Sequence, residues 1–252
     1  MSAESRLFYQ EFGKGSPLVL LHGFFDTGDI WKPWIPKFAE TYRVIVPDLR
    51  GHGRSENPSG LYTHRESAID ILNLLDDIGI DRFQAIGLAS GAMSLLHAAT
   101  LQPERVASMV LLSGTPYFPE NARTILRSIY EFGPEITQLL KQWHPRGEEQ
   151  IQSLFKQFRS FGEDYEEMNF TPPMLSQIKA STLIIHGDRN VFFPVELALE
   201  MYQAIPNSYL WIVPNGDHTL LFSEWGGSFP GKEVFANLTL DFLAGKWSVN
   251  KK

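Results

Sequence analysis

The chain of 252 residues has no cysteine, which excludes disulfides and thiolate metal centres. It has no run of roughly eighteen apolar residues, the length a membrane-crossing helix needs. Its first residues, Met1 to Arg6, are polar and lack the apolar stretch of a signal peptide. These absences lead us to expect a cytoplasmic protein. Low-complexity tracts and sequence repeats are missing too. The net charge of −7 is mild and scattered, which argues against nucleic acid or a membrane surface as partner. There is no G-x-G-x-x-G or phosphate-binding loop, and no group of His, Asp and Glu has metal-ligand spacing, so neither a cofactor nor a metal is implied.

What remains is an alternation of short apolar runs with amphipathic stretches, in a length that suits one α/β domain. Leu7 to Phe12 alternates weakly, and Gly13-Lys14-Gly15-Ser16 reads as a hairpin turn into the apolar run Pro17 to Leu21. Further buried strands are expected at Arg43 to Pro47, Phe83 to Leu88, Val106 to Leu112, Ser181 to His186 and Ser208 to Val213. Helical spacing marks Ile30 to Tyr42, although Pro33 and Pro36 weaken it. Thr63-His64-Arg65-Glu66 is a capping box that opens a helix stopped by Gly79. Helices are also expected at Ser90 to Leu101, Pro194 to Ile205 and Lys232 to Leu243. From Pro116 to about Ile178 there is no convincing strand; Asn121 to Phe132, Glu135 to Trp143 and Glu148 to Phe161 read as amphipathic helices.

The chain is organised around Gly87-Leu88-Ala89-Ser90-Gly91. A strand precedes it and a helix follows, and the glycines have the spacing of a G-x-S-x-G nucleophile elbow. The central position, where a serine hydroxyl belongs, holds Ala89. Ser90 is one residue along, where the side chain is expected to turn toward helix packing rather than to attack.

Four motifs in order resemble the α/β-hydrolase fold family over nearly the whole chain: His22-Gly23-Phe24 after an early strand, Asp48-Leu49-Arg50-Gly51-His52-Gly53-Arg54-Ser55, the Gly87–Gly91 elbow, and Gly216-Asp217-His218. The resemblance implies an α/β fold with a mostly parallel eight-stranded sheet flanked by helices. It also implies a core domain of residues 1–115 and 179–252 and a helical cap insertion of residues 116–178. Carried over position by position, it makes Ala89 the nucleophile position and His218 the catalytic histidine. The oxyanion donors become the backbone N–H groups of Phe24 and Ser90. The acid position, three residues past Gly187 and four before Pro194, holds Asn190. Asp188, two residues away, reads as a turn former. His22, His52 and His186 read as structural, and His64, His97 and His144 as helical surface or core residues.

Phe24, Phe25, Trp31, Phe118, Phe192 and Phe193 are candidates to line an aromatic pocket beneath the cap, which would suit a small apolar ester-like ligand. Three functional readings follow. The first is a serine esterase or lactonase disabled at Ala89 and Asn190. The second is a non-catalytic binding or sensing protein. The third is a cofactor-free enzyme using His218 as a general base.

Overall fold

A computed structural model of the chain describes residues 6–220 and 232–247. Its strands are β1 (Tyr9–Phe12), β2 (Ser16–Leu21), β3 (Tyr42–Pro47), β4 (Phe83–Leu88), β5 (Val106–Leu112), β6 (Ser181–Gly187) and β7 (Ser208–Val213). They form one sheet in the order β1-β3-β2-β4-β5-β6-β7, in which only β1 runs antiparallel to its neighbour. Among the described residues the sheet therefore has seven strands, the number of strand-like runs in the sequence, rather than the eight the resemblance implies.

The expected hairpin between β1 and β2 does not form. β1 pairs with β3, Tyr9 opposite Pro47 and Phe12 opposite Val44, and β3 lies between β1 and β2. The Gly13–Ser16 segment instead passes over the chain that enters β3. A Cβ on Gly15, at φ 122°, would lie 2.3 Å from the carbonyl oxygen of Thr41, so only glycine fits. Arg43 on β3 holds Glu11 on β1 through two hydrogen bonds of 2.9 Å.

Helices cover both faces. α1 (Ile35–Phe38) and α9 (Lys232–Leu243) lie on one side, where Trp31, Trp34, Phe38 and Phe235 pack against Leu18, Leu20 and Val110. α2 (His64–Asp77), α3 (Ser90–Leu101) and α8 (Val195–Ala204) lie on the other, against Val19, Leu21, Ala85 and Leu111. This alternation of inward residues along each strand is the period-two pattern of a sheet buried on both faces. The helix expected over Ile30 to Tyr42 is reduced to a 3₁₀ turn at Gly28–Trp31 and the single turn of α1. Pro33 and Pro36 lack the N–H groups that a continuous helix would use there. Thr63 caps α2 by accepting from the N–H of Glu66 at 3.0 Å, and Gly79 ends it at φ 71°.

Between β5 and β6 the described residues form α4 (Glu120–Ser128), α5 (Pro134–Trp143), α6 (Glu148–Ser160) and α7 (Pro172–Leu175). His144, just past α5, ties this section to the loops at the sheet's carboxyl ends. Its Nδ1 accepts from the N–H of Gly53 and its Nε2–H donates to the carbonyl of Phe25, both at 3.0 Å. Asp48 accepts from the N–H groups of Gly28 and Arg54, and Arg50 is paired with Asp70 at 2.6 and 2.9 Å.

Candidate active site

β4 delivers the chain into a tight turn at Ala89, whose φ of 45° and ψ of −108° lie outside the regions an L-residue ordinarily occupies. The turn closes only because its flanks are glycines. A Cβ on Gly87 would lie 2.5 Å from the carbonyl carbon of Gly91, and one on Gly91 would lie 2.6 Å from the carbonyl oxygen of Leu21. The strain is of the kind stored at functional positions, about 1–3 kcal/mol per residue. The local geometry is that of a nucleophile elbow, carrying a methyl group where the hydroxyl would be.

Ala89 forms part of the wall of a cavity of about 170 Å³, small beside the ~300–1,000 Å³ of pockets for drug-sized ligands. Phe24, Phe25, Phe118, Phe192, Phe193, Ser90 and His218 line the same space. The structure thus brings together the expected nucleophile, histidine, oxyanion and pocket positions, with one exception. Trp31 is fully buried on the opposite face of the sheet against Trp34, and so belongs to the core beneath α1 and α9 rather than to the cavity. Its place follows from the 3₁₀ turn, which rolls the indole under the sheet. Phe132, Phe158, Phe161 and Met93 also border the cavity and were not legible as such in the sequence. Met93 on α3 and Phe158 on α6 belong to apolar helix faces that look like any other packing face, whereas Phe132 and Phe161 lie just beyond α4 and α6, which end at Ser128 and Ser160 rather than running to Phe132 and Phe161 as the spacing suggested. The aromatic rings meet in closely spaced pairs, Phe24 with Phe161 at 5.2 Å and Phe25 with Phe132 at 5.0 Å between centroids.

His218 follows β7. Its Nδ1–H donates to Oδ1 of Asn190 at 3.3 Å, which leaves Nε2 as the basic nitrogen. Phe192 and Phe193 pack on the ring at 4.8 and 5.3 Å. Burial, with a smaller contribution from nearby His186, lowers the imidazole from its ordinary value to about 4, so it is neutral at physiological pH. The same Asn190 oxygen accepts from the N–H groups of Phe192 and Phe193 at 3.0 and 3.1 Å, while its Nδ2 is buried with no partner among the described residues. Asp188 is exposed, and Asp217 accepts from Thr219 and Leu220 rather than from His218. Among the described residues no carboxylate hydrogen-bonds His218, and the charge of Asp217 offsets only a minor part of the lowering by burial.

The backbone N–H groups of Phe24 and Ser90 face no acceptor among the described residues. Phe25, beside the first of them, is held at φ 68° with His144 bonded to its carbonyl. Of the remaining histidines, His22 is buried, accepting at Nε2 from the N–H of Leu49 at 2.8 Å, and His186 bonds the carbonyl of Phe193.

His64, expected as a helical surface or core residue, has partners that the sequence did not point to. At the start of α2 it is fully buried, and its two ring nitrogens join Ser90 Oγ, at 3.0 Å, to Glu167, at 2.8 and 2.9 Å. No sequence signal links His64 to Glu167, which lies 103 residues away.

A family model described as alpha/beta hydrolase fold matches residues 16–144, just over half of the chain. The chain belongs to the alpha/beta hydrolase fold family. A protein of Synechocystis sp., named provisionally as a non-heme chloroperoxidase, is 27% identical over 87% of this chain and 90% of its own length. The 2-hydroxy-6-oxo-6-(2'-aminophenyl)hexa-2,4-dienoic acid hydrolase of Metapseudomonas resinovorans is 24% identical over 96% and 89%. In fold, the chain resembles the meta-cleavage product hydrolase of Pseudomonas fluorescens with a TM-score of 0.77, at 21% identity over 98% of this chain and 97% of that one. No helix of the described residues is long and apolar enough to cross a membrane.

Proposed function

We propose that this alpha/beta hydrolase is of serine esterase or lactonase lineage, that its cavity takes a small apolar carbonyl compound, and that nucleophilic attack from the elbow is lost in the chain as it stands. Ala89 carries this reading: an elbow backbone held by Gly87 and Gly91 presents a methyl group to a cavity shared with His218. Loss of a serine nucleophile has cost about 10⁶ in turnover in a well-studied hydrolase, with roughly 10³–10⁴ over water left from binding and oxyanion contacts. Those contacts come from backbone N–H groups, here Phe24 and Ser90, and do not depend on side-chain identity. The apolar lining supports an uncharged substrate portion. In this reading residues 116–178 act as the cap that shuts water out, and the ligand is neither nucleic acid nor membrane.

Asn190 supports the same conclusion. An amide oxygen can hold the imidazole tautomer, but it does not stabilise imidazolium as a carboxylate does. A second reading rests on His218 itself. Desolvated by Phe192 and Phe193 and neutral at physiological pH, it suits general-base chemistry on a substrate whose own carbanion or alkoxide carries the reaction.

Hydrolysis of activated esters and lactones by the chain, by Ala89→Ser, and by Ala89→Ser with Asn190→Asp tests the proposal. Activity that rises stepwise on restoration supports it. A doubly restored, folded protein with no gain over the starting chain overturns the hydrolase reading and leaves the general-base reading to be tested by deuterium exchange into apolar ketones.

A further inference from the structure

Ser90, His64 and Glu167 form a hydroxyl–imidazole–carboxylate relay that shares the cavity wall but uses neither Ala89, Asn190 nor His218. Oγ of Ser90 lies 3.0 Å from Nε2 of His64. Nδ1 of His64 lies 2.8 and 2.9 Å from the two carboxylate oxygens of Glu167. The carboxylate accepts Nδ1–H, which fixes the tautomer and leaves the Nε2 lone pair for the Ser90 hydroxyl proton. One carboxylate oxygen also accepts from the backbone N–H of His64, so the acid is anchored to the start of α2 as well as to the ring. All three side chains are buried.

The relay reaches the cavity at one end. Ser90 borders it beside Ala89, and the His64 ring packs at 4.9 Å on Phe161 and 6.0 Å on Phe118, two of the rings that line it. Ser90 is also the first residue of α3, where the helix dipole favours negative charge on oxygen. Burial alone would push the Glu167 carboxyl up, but the His64 ring and the bonds it donates hold the group below the ordinary carboxylate value. The acid is therefore ionised at neutral pH, as an orienting carboxylate must be.

We propose that Ser90 is a second nucleophile, with His64 as its base and Glu167 as the group that positions His64, so that the chain forms a covalent acyl–Ser90 intermediate with small activated esters despite Ala89. In this step Oγ bonds to the substrate carbonyl carbon while its proton passes to Nε2 of His64. The tetrahedral oxyanion then collapses, the bond from carbon to the leaving oxygen breaks, and that oxygen takes the proton from His64. Water repeats the sequence on the acyl group and frees Ser90. The inference rests on the proposed esterase-type cavity, but it requires a different hydroxyl from the one that restoration at position 89 would supply.

The test is labelling of the unaltered chain with a small alkyl fluorophosphonate, in which phosphorus bonds to Oγ, fluoride leaves and His64 takes the proton. Intact mass and peptide mapping read the product. One adduct, on Ser90, is expected, with labelling abolished by Ser90→Ala and slowed at least about 100-fold by Glu167→Gln. Because buried variants at His64 and Glu167 can fail to fold, Ser90→Cys gives an independent readout. Its alkylation by iodoacetamide should retain a thiolate-type pH profile displaced below that of a free cysteine. Absence of an adduct on Ser90, or an adduct whose rate Glu167→Gln leaves unchanged in a folded protein, overturns the inference. An unaltered chain that takes no label, beside an Ala89→Ser variant that is labelled at position 89, sinks the Ser90 assignment while leaving the lineage reading intact.

Discussion

Oδ1 of Asn190 accepts three hydrogen bonds at once, from the ring of His218 at 3.3 Å and from the backbone of Phe192 and Phe193 at 3.0 and 3.1 Å. The asparagine thus organises the loop carrying the two phenylalanines and aims the histidine those phenylalanines desolvate. A carboxylate in its place would keep the acceptor and add a charge beside the ring.

From this arrangement, Asn190→Asp is expected to raise the His218 pKa from about 4 toward the ordinary value near 6.5, because an opposite charge favours imidazolium. An NMR titration of the imidazole C–H resonances measures it. A midpoint that stays near 4 would mean that the introduced carboxylate does not reach the ring.

Ala89 pays for its backbone conformation with nothing that its methyl group recovers by bonding. Ala89→Gly should therefore stabilise the fold by about 1 kcal/mol, the relief of φ 45° set against the extra chain entropy of glycine. The reverse logic applies next door. Gly91→Ala should destabilise by about 3 kcal/mol or more, since its Cβ would meet two backbone carbonyl oxygens, of Leu21 and His22, at 2.6 and 2.8 Å. Urea unfolding of both variants decides the point, and equal effects of the two would contradict the elbow geometry.

His22 and His144 are each held by burial at about 4. Both are neutral in the fold, whereas in the unfolded chain they protonate near 6.5. The unfolded state therefore binds more protons between these values. Their contribution to stability is complete above about pH 6.5 and is lost progressively as the pH falls toward 4. Unfolding free energies from urea titrations at pH 7.5, 6.0 and 5.0 should decline in that order, by on the order of 1 kcal/mol per histidine over the last interval. A flat profile would show that these rings are hydrated.

His144→Phe should cost about 2–4 kcal/mol, because it leaves the N–H of Gly53 and the carbonyl of Phe25 buried without their partner. It should also weaken binding of small apolar ligands, read as a smaller ligand-induced rise in Tm, since Phe25 borders the cavity. Undiminished ligand stabilisation would separate the tether from the pocket.

Local chemistry in the sequence was enough to place the strands, the elbow and the cap of α2. Apolar runs, flanking glycines and a threonine three residues before a glutamate act over a few residues, so their consequences are written locally. The resemblance, carried over position by position, is what points to Ala89 and Asn190 as the nucleophile and acid positions and to Phe24 and Ser90 as backbone donors. The partner of β1 is not written locally, because Gly13–Ser16 has the composition of a hairpin turn whichever strand lies beside it. Only the close approach of that segment to Thr41 decides the matter.

Trp31 shows the same limit at the site. An indole beside a catalytic loop reads alike whether it faces the cavity or the opposite core, and the 3₁₀ turn at Gly28–Trp31 sends it to the core. The Ser90–His64–Glu167 relay lies wholly beyond the sequence. Its members come from the start of α3, the start of α2 and the chain after α6, and they meet because the sheet sets β4 and both helices side by side while the excursion between β5 and β6 folds back over them. The sequence by itself determined an alpha/beta hydrolase scaffold with a methyl group at its elbow, since each motif is short and carries its own geometry. Tertiary structure decided which buried polar groups face one another, because burial leaves a hydroxyl, an imidazole and a carboxylate no partner but the one that packing brings within reach.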